Sequence, residues 1–225
     1  EVSRRIAGKT GVDIVLVPAA TIVAGSAVGV VAGPAVARMM YWLGSAINAA
    51  TTLHPIPMGI VLSVAMGMIL TLPISSAALS ISLGLSGLAA GASTAGCCCQ
   101  MIGFAVASFR ENGTGGLIAQ GLGTSMLQIP NIIRNPWIWV PPTAAAAVLG
   151  PVSTVIFRME NSSIGAGMGT SGLVGQVSTL GVMGPSAWPG ILLLHFLLPA
   201  VLSLLFSEIL RRTGRIRPGD MKLEK

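Results

Sequence analysis

The sequence predicts an all-α, polytopic transmembrane helical bundle with broken or re-entrant helices and an amphipathic interfacial helix. Hydrophobic residues make up 52% of the 225 residues and charged residues only 9%, whereas a soluble domain carries roughly 25% charged residues to cover its surface. The charges cluster between long uncharged stretches, which is the arrangement of membrane segments and their loops. We therefore treat residues 1–225 as a single transmembrane domain.

The first two predicted elements are a span and an interfacial helix. Residues 14–31 are close to the ~20 residues that cross a hydrocarbon core. Pro34 suits the start of a second helix, in which apolar residues recur at helical spacing from Val36 to Ile47. Glycines at intervals of four form a smooth stripe on which another helix can pack closely: Gly25, Gly29 and Gly33.

Two stretches are predicted to be broken helices. An apolar run from Met58 to Leu72 stops at Pro73, and small polar residues dominate residues 74–88. Residues 161–184 contain seven glycines, each of which costs a regular helix roughly 1 kcal/mol relative to Ala. Irregular backbone persists at membrane depth only where it is buried in protein or lines a wet cavity. We expect residues 161–179 and the broken segment around Pro73 to form opposite walls of a solute site.

Further spans are predicted at residues 94–109, 142–157 and 189–210, which brings the number of apolar segments to about six. Pro199 is expected to kink the last of them. Residues 115–136 are too polar to face lipid and too apolar for a simple loop. They predict an interfacial or re-entrant segment.

The two ends of the chain predict its orientation. Basic residues concentrate in residues 211–225, and the positive-inside bias holds such a tail in the cytoplasm. Residues 1–12 are predicted to be a cytoplasmic or linker segment. Because the sequence begins without Met, we expect it to be the C-terminal part of a longer protein.

The residue types disfavour several classes of function. The net charge of +6 accompanies only 4% aromatic residues, and the basic residues flank apolar runs, so we predict no nucleic-acid partner. His54 and His195 have no acidic partner at helical spacing, and Cys97 to Cys99 are consecutive in an apolar run, where they are expected to pack against other helices. We predict no enzymatic activity, no metal and no cofactor.

The candidate solute-binding residues are polar side chains in and around the broken stretches, because hydroxyls, amides and half-helix ends bind polar solutes. They are His54, Ser75, Ser76, Asn131, Glu160, Asn161, Ser162, Ser163, Thr170, Ser171 and Gln176. Alternatives stay open for these residues. The small ones also serve tight helix packing, and Glu160 with Arg158 also suits an interfacial anchor pair.

Six sequence blocks, in their order and spacing, carry a family resemblance. They are Gly33-Pro34, Leu53-His-Pro-Ile-Pro57, Leu72-Pro-Ile-Ser-Ser76, Gly84-Leu-Ser-Gly-Leu-Ala-Ala-Gly91, Pro130-Asn-Ile-Ile-Arg-Asn-Pro136 and Gly172-Leu-Val-Gly175. Together they resemble the stand-alone enzyme IIC-like membrane proteins of the bacterial phosphotransferase system. The resemblance implies a multi-pass permease of the bacterial inner membrane, whose partners would be a small solute, membrane lipid and separate phosphotransferase-system proteins. We expect a homodimer through the glycine-striped or amphipathic helix.

The function that the resemblance implies is membrane transport of a small polar solute, a sugar or a related metabolite. The better-known sugar permeases of the system carry a Glu in a re-entrant loop that holds sugar hydroxyls. The matching residues here, 163–178, contain no carboxylate, and the system's phosphocysteine domain is absent from this sequence. The alternative is therefore a membrane-embedded sensor or regulatory scaffold that keeps the permease fold without transport.

Overall fold

The computed structural model describes residues 13–223. The predicted cytoplasmic or linker segment at residues 1–12 lies outside the described residues. Within the described range, the only β-structure is an isolated bridge between Gly87 and Asn161, and the remainder is helical or irregular. The predicted all-α class is confirmed.

The helical elements follow one another in short pieces after a long first helix. The α-helices of the described residues are α1 (Asp13–Leu53), α2 (Pro55–Thr71), α3 (Ser76–Ser82), α4 (Gly87–Ala107), α5 (Phe109–Ile118), α6 (Ile129–Arg134), α7 (Val140–Pro151), α8 (Ser163–Ala166), α9 (Val174–Met183), α10 (Trp188–Gly190) and α11 (Leu198–Arg212). Stretches of π-helix cover Ala119–Gly123, Val152–Ile156 and Ile191–Leu197. Short 3₁₀ turns cover Ser125–Gln128, Pro136–Trp139, Ser171–Leu173 and Gly184–Ala187.

The chain divides into two compact units, residues 1–42 and residues 43–225. The described part of the first unit belongs to α1, which continues without a break through Pro18 and Pro34. The prediction that Pro34 begins a separate helix is wrong. Proline already has a helical φ and removes only one donor, a loss that membrane helices tolerate.

Helix α4 is the centre of the second unit. Seventeen of its 21 residues are buried, and α2, α7 and α11 pack around it. It is so deeply buried because Ala, Gly and Cys dominate its sequence and let the neighbouring backbones approach closely. The helix begins seven residues before the predicted Thr94 and ends at Ala107. The three cysteines lie in this core as free, buried thiols.

Three helical stretches within residues 13–223 are long and apolar enough to cross a membrane, judged by length and composition: Gly87–Ala107, Pro136–Ile156 and Ser171–Arg212. A fourth, Pro55–Thr71, is apolar but shorter. The last long stretch is interrupted at Gly184, where φ is 70°. The predicted broken segments at residues 74–88 and 161–184 are confirmed as short helices joined by turns.

The expected kink at Pro199 takes the form of a widened turn. Pro199 lies near the start of α11, immediately after the π-helix Ile191–Leu197. A proline offers no N–H to the carbonyl four residues earlier, which belongs to His195 here. Insertion of a π-turn is a common way for a helix to absorb such a missing bond.

Hydrogen bonds fix the directions of the helices in the second unit. Helices α2 and α4 run parallel, since the Cys97 thiol contacts the Met66 carbonyl and Thr71 Oγ1 contacts Gln100 Oε1 further along. Helix α7 runs the opposite way, from Thr143 beside Gln100 to Thr154, whose hydroxyl donates to Pro55 O at 2.8 Å. We call the two ends of this bundle the Gly87 end and the Ala107 end, after the first and last residues of α4.

Residues 213–223 fold back against the Ala107 end. Ile216 and Met221 in this stretch are buried in a cluster with Phe104, Ile132 and Ile138. The part of the predicted basic tail that the structure describes is helical at Arg211 and Arg212, and beyond them it is held against the bundle by the buried Ile216 and Met221.

Candidate functional site

The first of two hairpins in the bundle, residues 109–134, enters from the Ala107 end and returns to it. Near its start the Asn112 amide donates to Met221 O at 2.8 Å, and near its end the Asn131 amide donates to Lys222 O at 3.0 Å. Between these points lies the π-turn Ala119–Gly123, whose Gly121 sits against Ala105 of α4. This turn is the tip of the first hairpin.

The second hairpin, residues 161–183, enters from the Gly87 end. Asn161 N donates to Gly87 O at 3.3 Å, and the Ser162 and Ser178 hydroxyls join its two limbs at 2.7 Å. Its tip turns through positive φ values at Gly169 and Gly172, which suit glycine, and at Leu173, which is a strained position for a side chain. The glycines that break the helix therefore also build the turn.

The two tips meet inside the bundle. The Thr170 hydroxyl of the second hairpin donates to Gly121 O of the first at 2.5 Å. The break after α2 reaches the same place, because the Ser76 hydroxyl donates to Gly167 O at 2.6 Å and the Thr71 and Ser125 hydroxyls lie 2.9 Å apart. Three interrupted segments, two of them from opposite ends, thus converge beside α4.

A cavity of about 180 Å³ lies where the three segments converge. Its lining residues are Leu70, Ile74, Ser75, Ser76, Ala77, Met101, Gly123, Thr124, Met126, Gly167, Met168 and Ser171. None of these residues carries a charge. The volume is below the ~300–1,000 Å³ of pockets for drug-sized ligands. The cavity therefore suits a small, uncharged solute.

Three hydroxyls of the cavity are available to a solute. Ser75 Oγ and Thr124 Oγ1 each accept a backbone N–H, from Ala78 and Met126, and keep their own hydrogens to donate. Within residues 13–223 the structure gives the Ser171 hydroxyl no hydrogen-bond partner. Donors and acceptors on a neutral lining are what a solute bearing hydroxyl groups requires.

Three of the predicted solute-binding residues, Ser75, Ser76 and Ser171, line this cavity. Thr170 lies directly behind it as the bond between the tips. The residues around Pro73 and the glycine-rich stretch contact each other here, and much of the lining comes from residues that were not predicted.

Four other predicted residues build the second hairpin and do not line the cavity. The Asn161 amide donates to Thr94 Oγ1 at 2.7 Å and to Gly175 O at 3.1 Å. Ser162 joins the limbs as described, Ser163 O accepts the Ser80 hydroxyl at 2.7 Å, and Gln176 contacts His195 Nδ1 at 3.1 Å. The side chains of Asn161, Ser162 and Gln176 and the backbone carbonyl of Ser163 are thus engaged in contacts that hold the fold.

The remaining three predicted residues lie elsewhere. His54 is an exposed residue between α1 and α2, and Glu160 is exposed at the Gly87 end, where its backbone N–H contacts Met183 Sδ. Asn131 is buried, with its amide shared between Gln128 Oε1 and Lys222 O. Within residues 13–223, no group of three or more His, Cys, Asp or Glu side chains is placed to hold a metal ion.

The sequence analysis predicted an interfacial or re-entrant segment at residues 115–136 and chose Asn131 in it, but it missed Gly123, Thr124 and Met126, which line the cavity. The sequence does contain a motif that could have indicated these residues. The pattern Gly-x-Gly-Thr-Ser occurs at residues 121–125 and again at residues 167–171, and the structure places these two copies at the two tips that meet. Recurrence of a motif in two oppositely entering segments is typical of transporters with inverted repeats.

Comparison with known proteins identifies the family. A family model described as "Phosphotransferase system, EIIC" matches residues 1–223. No curated protein and no solved structure matches the chain. The match covers nearly the whole sequence and agrees with the helical, membrane-type architecture described above. The chain belongs to the EIIC family of the phosphotransferase system, whose members are membrane permease components.

Proposed function

We propose that this protein moves a small, uncharged solute bearing hydroxyl groups, such as a sugar or a polyol, across the membrane, and that the solute binds in the cavity between the hairpin tips. The observation that carries the proposal is the meeting of two Gly-x-Gly-Thr-Ser tips from opposite ends of the bundle. Half-helices and irregular backbone that meet at depth form the solute sites of many transporters.

The same geometry supports alternating access. The first tip enters from the Ala107 end and the second from the Gly87 end, and the Thr170–Gly121 hydrogen bond joins them. In the proposed cycle, withdrawal of one tip opens a path between the cavity and the end from which that tip enters. A single neutral hydrogen bond of this kind is worth about 0.5–1.5 kcal/mol, which is small enough for a transport cycle to break and remake.

The charge distribution supports a membrane orientation. Within residues 43–223, one basic residue, Arg158, lies at the Gly87 end, beside the Met159 carbonyl that packs on Gly91. The other basic residues lie at the Ala107 end: Arg110, Arg134, Arg211, Arg212, Arg215, Arg217 and Lys222. The positive-inside bias favours a cytoplasmic Ala107 end in the bacterial inner membrane.

This orientation predicts where added labels react. A cysteine at the exposed Glu160 is expected to react with a membrane-impermeant maleimide in intact cells, while one at the exposed Arg217 reacts only after the membrane is opened. The native thiols are buried and give a low background. The reverse labelling pattern would contradict the orientation.

The assembly belongs to the same proposal. We propose a homodimer through the stripe of Gly25, Gly29 and Gly33, since small residues let membrane helices associate closely. We also propose that separate phosphotransferase-system proteins act with this chain at the cytoplasmic end. The family membership supports such partners.

A thermal-shift screen followed by uptake tests the function. The purified protein is screened against sugars, polyols, sugar phosphates and small carboxylates, because a solute that binds only the folded state raises Tm. The proposal expects stabilisation by neutral hydroxylated solutes. It also expects uptake of the same solute into vesicles that contain the protein.

Removal of a cavity hydroxyl is expected to weaken solute binding. Ser171→Ala and Thr124→Val should each raise the solute Kd roughly three- to tenfold, which corresponds to the loss of one neutral hydrogen bond. Ser186→Ala and Thr52→Val are matched controls, since both side chains are exposed and neither lines the cavity. Equal affinities in all four variants would exclude this cavity as the solute site.

The second candidate is a membrane-embedded sensor or regulatory scaffold. It is favoured by the lack of a carboxylate among the residues that line the cavity, in contrast to the sugar-holding Glu of the permeases that the chain resembles. Vesicle uptake separates the candidates. A solute that raises Tm but never enters vesicles would support the sensor and contradict transport.

A further inference from the structure

Residues 213–223, which we call the tail strap, are bound by amide side chains of the first hairpin. The Asn112, Gln128 and Asn131 amides donate to carbonyls of Met221 and Lys222 over 2.8–3.0 Å. Asn112 Oδ1 also accepts Leu223 N at 2.8 Å. All of these bonds use the backbone of the strap, so they fix its path whatever its exposed side chains are.

A largely buried carboxylate of the same hairpin, Glu111, also holds the strap. Glu111 Oε1 accepts from Arg211 Nη2 at 3.0 Å and from Gly219 N at 3.2 Å, and Glu111 Oε2 accepts from Met221 N at 3.0 Å. The two charged side chains are only 9% and 14% exposed. Charge-assisted bonds in such a setting are stronger than neutral ones, so the strap is firmly attached to the hairpin and to α11.

A chain of buried amides leads from the strap to the hairpin tip. The Gln128 amide, which donates to Met221 O, also donates to Gln120 Oε1 at 2.8 Å. Gln120 in turn donates to Ser108 Oγ at 2.9 Å and to Gly116 O at 3.0 Å. Both glutamines are fully buried, and Gln120 directly precedes Gly121, the residue that receives the Thr170 bond.

The tip has little stability of its own. It contains Gly121 and Gly123 within a single five-residue π-turn, which is capped by the bond from Thr124 N to Ala119 O at 2.9 Å. Glycine and π-geometry both lower the intrinsic stability of a helix. Contacts with neighbouring residues must therefore hold the tip in position. The hydrogen bonds of Gln128 and Gln120 connect the tip to the strap.

We infer that Gln120 and Gln128, anchored by the tail strap, are positioning residues that hold the first hairpin tip against the cavity. The expected effect of these residues on solute affinity rests on the proposed function. Their expected effect on the stability of the tip does not rest on it, because the hydrogen bonds exist without a solute.

Hydrogen exchange of the full chain tests the inference without a solute. Gln128→Leu keeps the side-chain volume and removes the link between strap and tip. We expect exchange in residues 119–126 to become about tenfold faster, the change that follows loss of one typical hydrogen bond, with little change in residues 163–175. Asn131→Leu, which removes a donor to both Gln128 and the strap, should give the same localised change.

The matched control is Thr154→Val. It removes a part-buried hydrogen bond to Pro55 O at the opposite end of the bundle, so it should lower Tm without faster exchange at residues 119–126. Unchanged exchange there in Gln128→Leu and Asn131→Leu, or an equal increase along the whole chain, would overturn the inference.

A second readout connects the tip to the solute. With a solute found in the thermal-shift screen, Gln128→Leu should raise its Kd about tenfold and Thr154→Val should leave it unchanged. If no solute stabilises the wild-type protein, the proposed function fails, and the exchange result still decides whether the strap positions the tip. If Gln128→Leu speeds exchange at residues 119–126 but leaves the Kd unchanged, the position of the tip does not control solute binding, and that part of the inference is overturned.

Discussion

Gly96→Ala is expected to destabilise the protein by about 2–3 kcal/mol or more, the upper part of the range for overpacking. A Cβ at Gly96 would overlap the backbone carbonyl of Ser63 in α2. Backbone atoms cannot change rotamer, so the two helices would have to separate, and the buried Ser63 hydroxyl that donates to Ala146 O at 2.7 Å would move with them. The substitution should lower Tm by roughly 5–10 °C.

Whether Gly96→Ala lowers or raises stability distinguishes tertiary packing from helix propensity. Alanine is better than glycine in a helix by roughly 1 kcal/mol, so local propensity alone predicts stabilisation. Gly181→Ala in α9 is the matched control, because a Cβ there meets no atom of the described residues within 4 Å. We expect an unchanged or higher Tm for Gly181→Ala. A Tm for Gly96→Ala at or above that of the wild type would contradict the close packing of α2 on α4.

Asn161→Leu is expected to have the second large effect, about 2–4 kcal/mol of lost stability, because it leaves buried polar groups without partners. The Asn161 side chain donates to Thr94 Oγ1 and Gly175 O and accepts Ser162 N at 2.8 Å. These bonds close the base of the second hairpin. Thermal unfolding of the purified variant, with hydrogen exchange of residues 161–178, measures the loss.

Asn48→Leu provides the comparison. The Asn48 amide also donates to a carbonyl, Gly84 O at 2.9 Å, and its Oδ1 also accepts a backbone N–H, from Ser86 at 3.2 Å, but the residue is only half-buried and both bonds are exposed to solvent. Water can replace its bonds, so we expect less than about 1 kcal/mol of lost stability. Equal losses for the two variants would mean that burial does not decide the cost, and would contradict the role assigned to Asn161.

Local features of the sequence predicted where the helices break. Pro73 ends an apolar run, and the glycines of residues 161–184 disfavour a regular helix; both interruptions are present in the structure. Proline misled the analysis at Pro34, which lies inside α1. The difference is that Pro73 is followed by small polar residues with hydroxyls for the freed backbone, whereas Pro34 is followed by residues that continue a helical pattern.

The site was only partly predictable. Ser75, Ser76 and Ser171 line the cavity as expected, but Asn161, Gln176 and Asn131 were chosen for the same reason and serve the fold. A polar side chain in an apolar sequence signals that a partner exists. It does not reveal whether that partner is a solute or another part of the chain.

The sequence by itself determined the helical membrane class, the family and the two interrupted stretches, because composition, motif order and helix propensity are properties of neighbouring residues. Only the tertiary structure decided that Thr170 meets Gly121, that two Gly-x-Gly-Thr-Ser copies face each other, and that the basic tail is bound by Gln128 and Asn131. These contacts join residues 49 to 93 positions apart. Such pairings depend on how whole helices pack, and hydrogen-bonding capacity along the chain does not specify them.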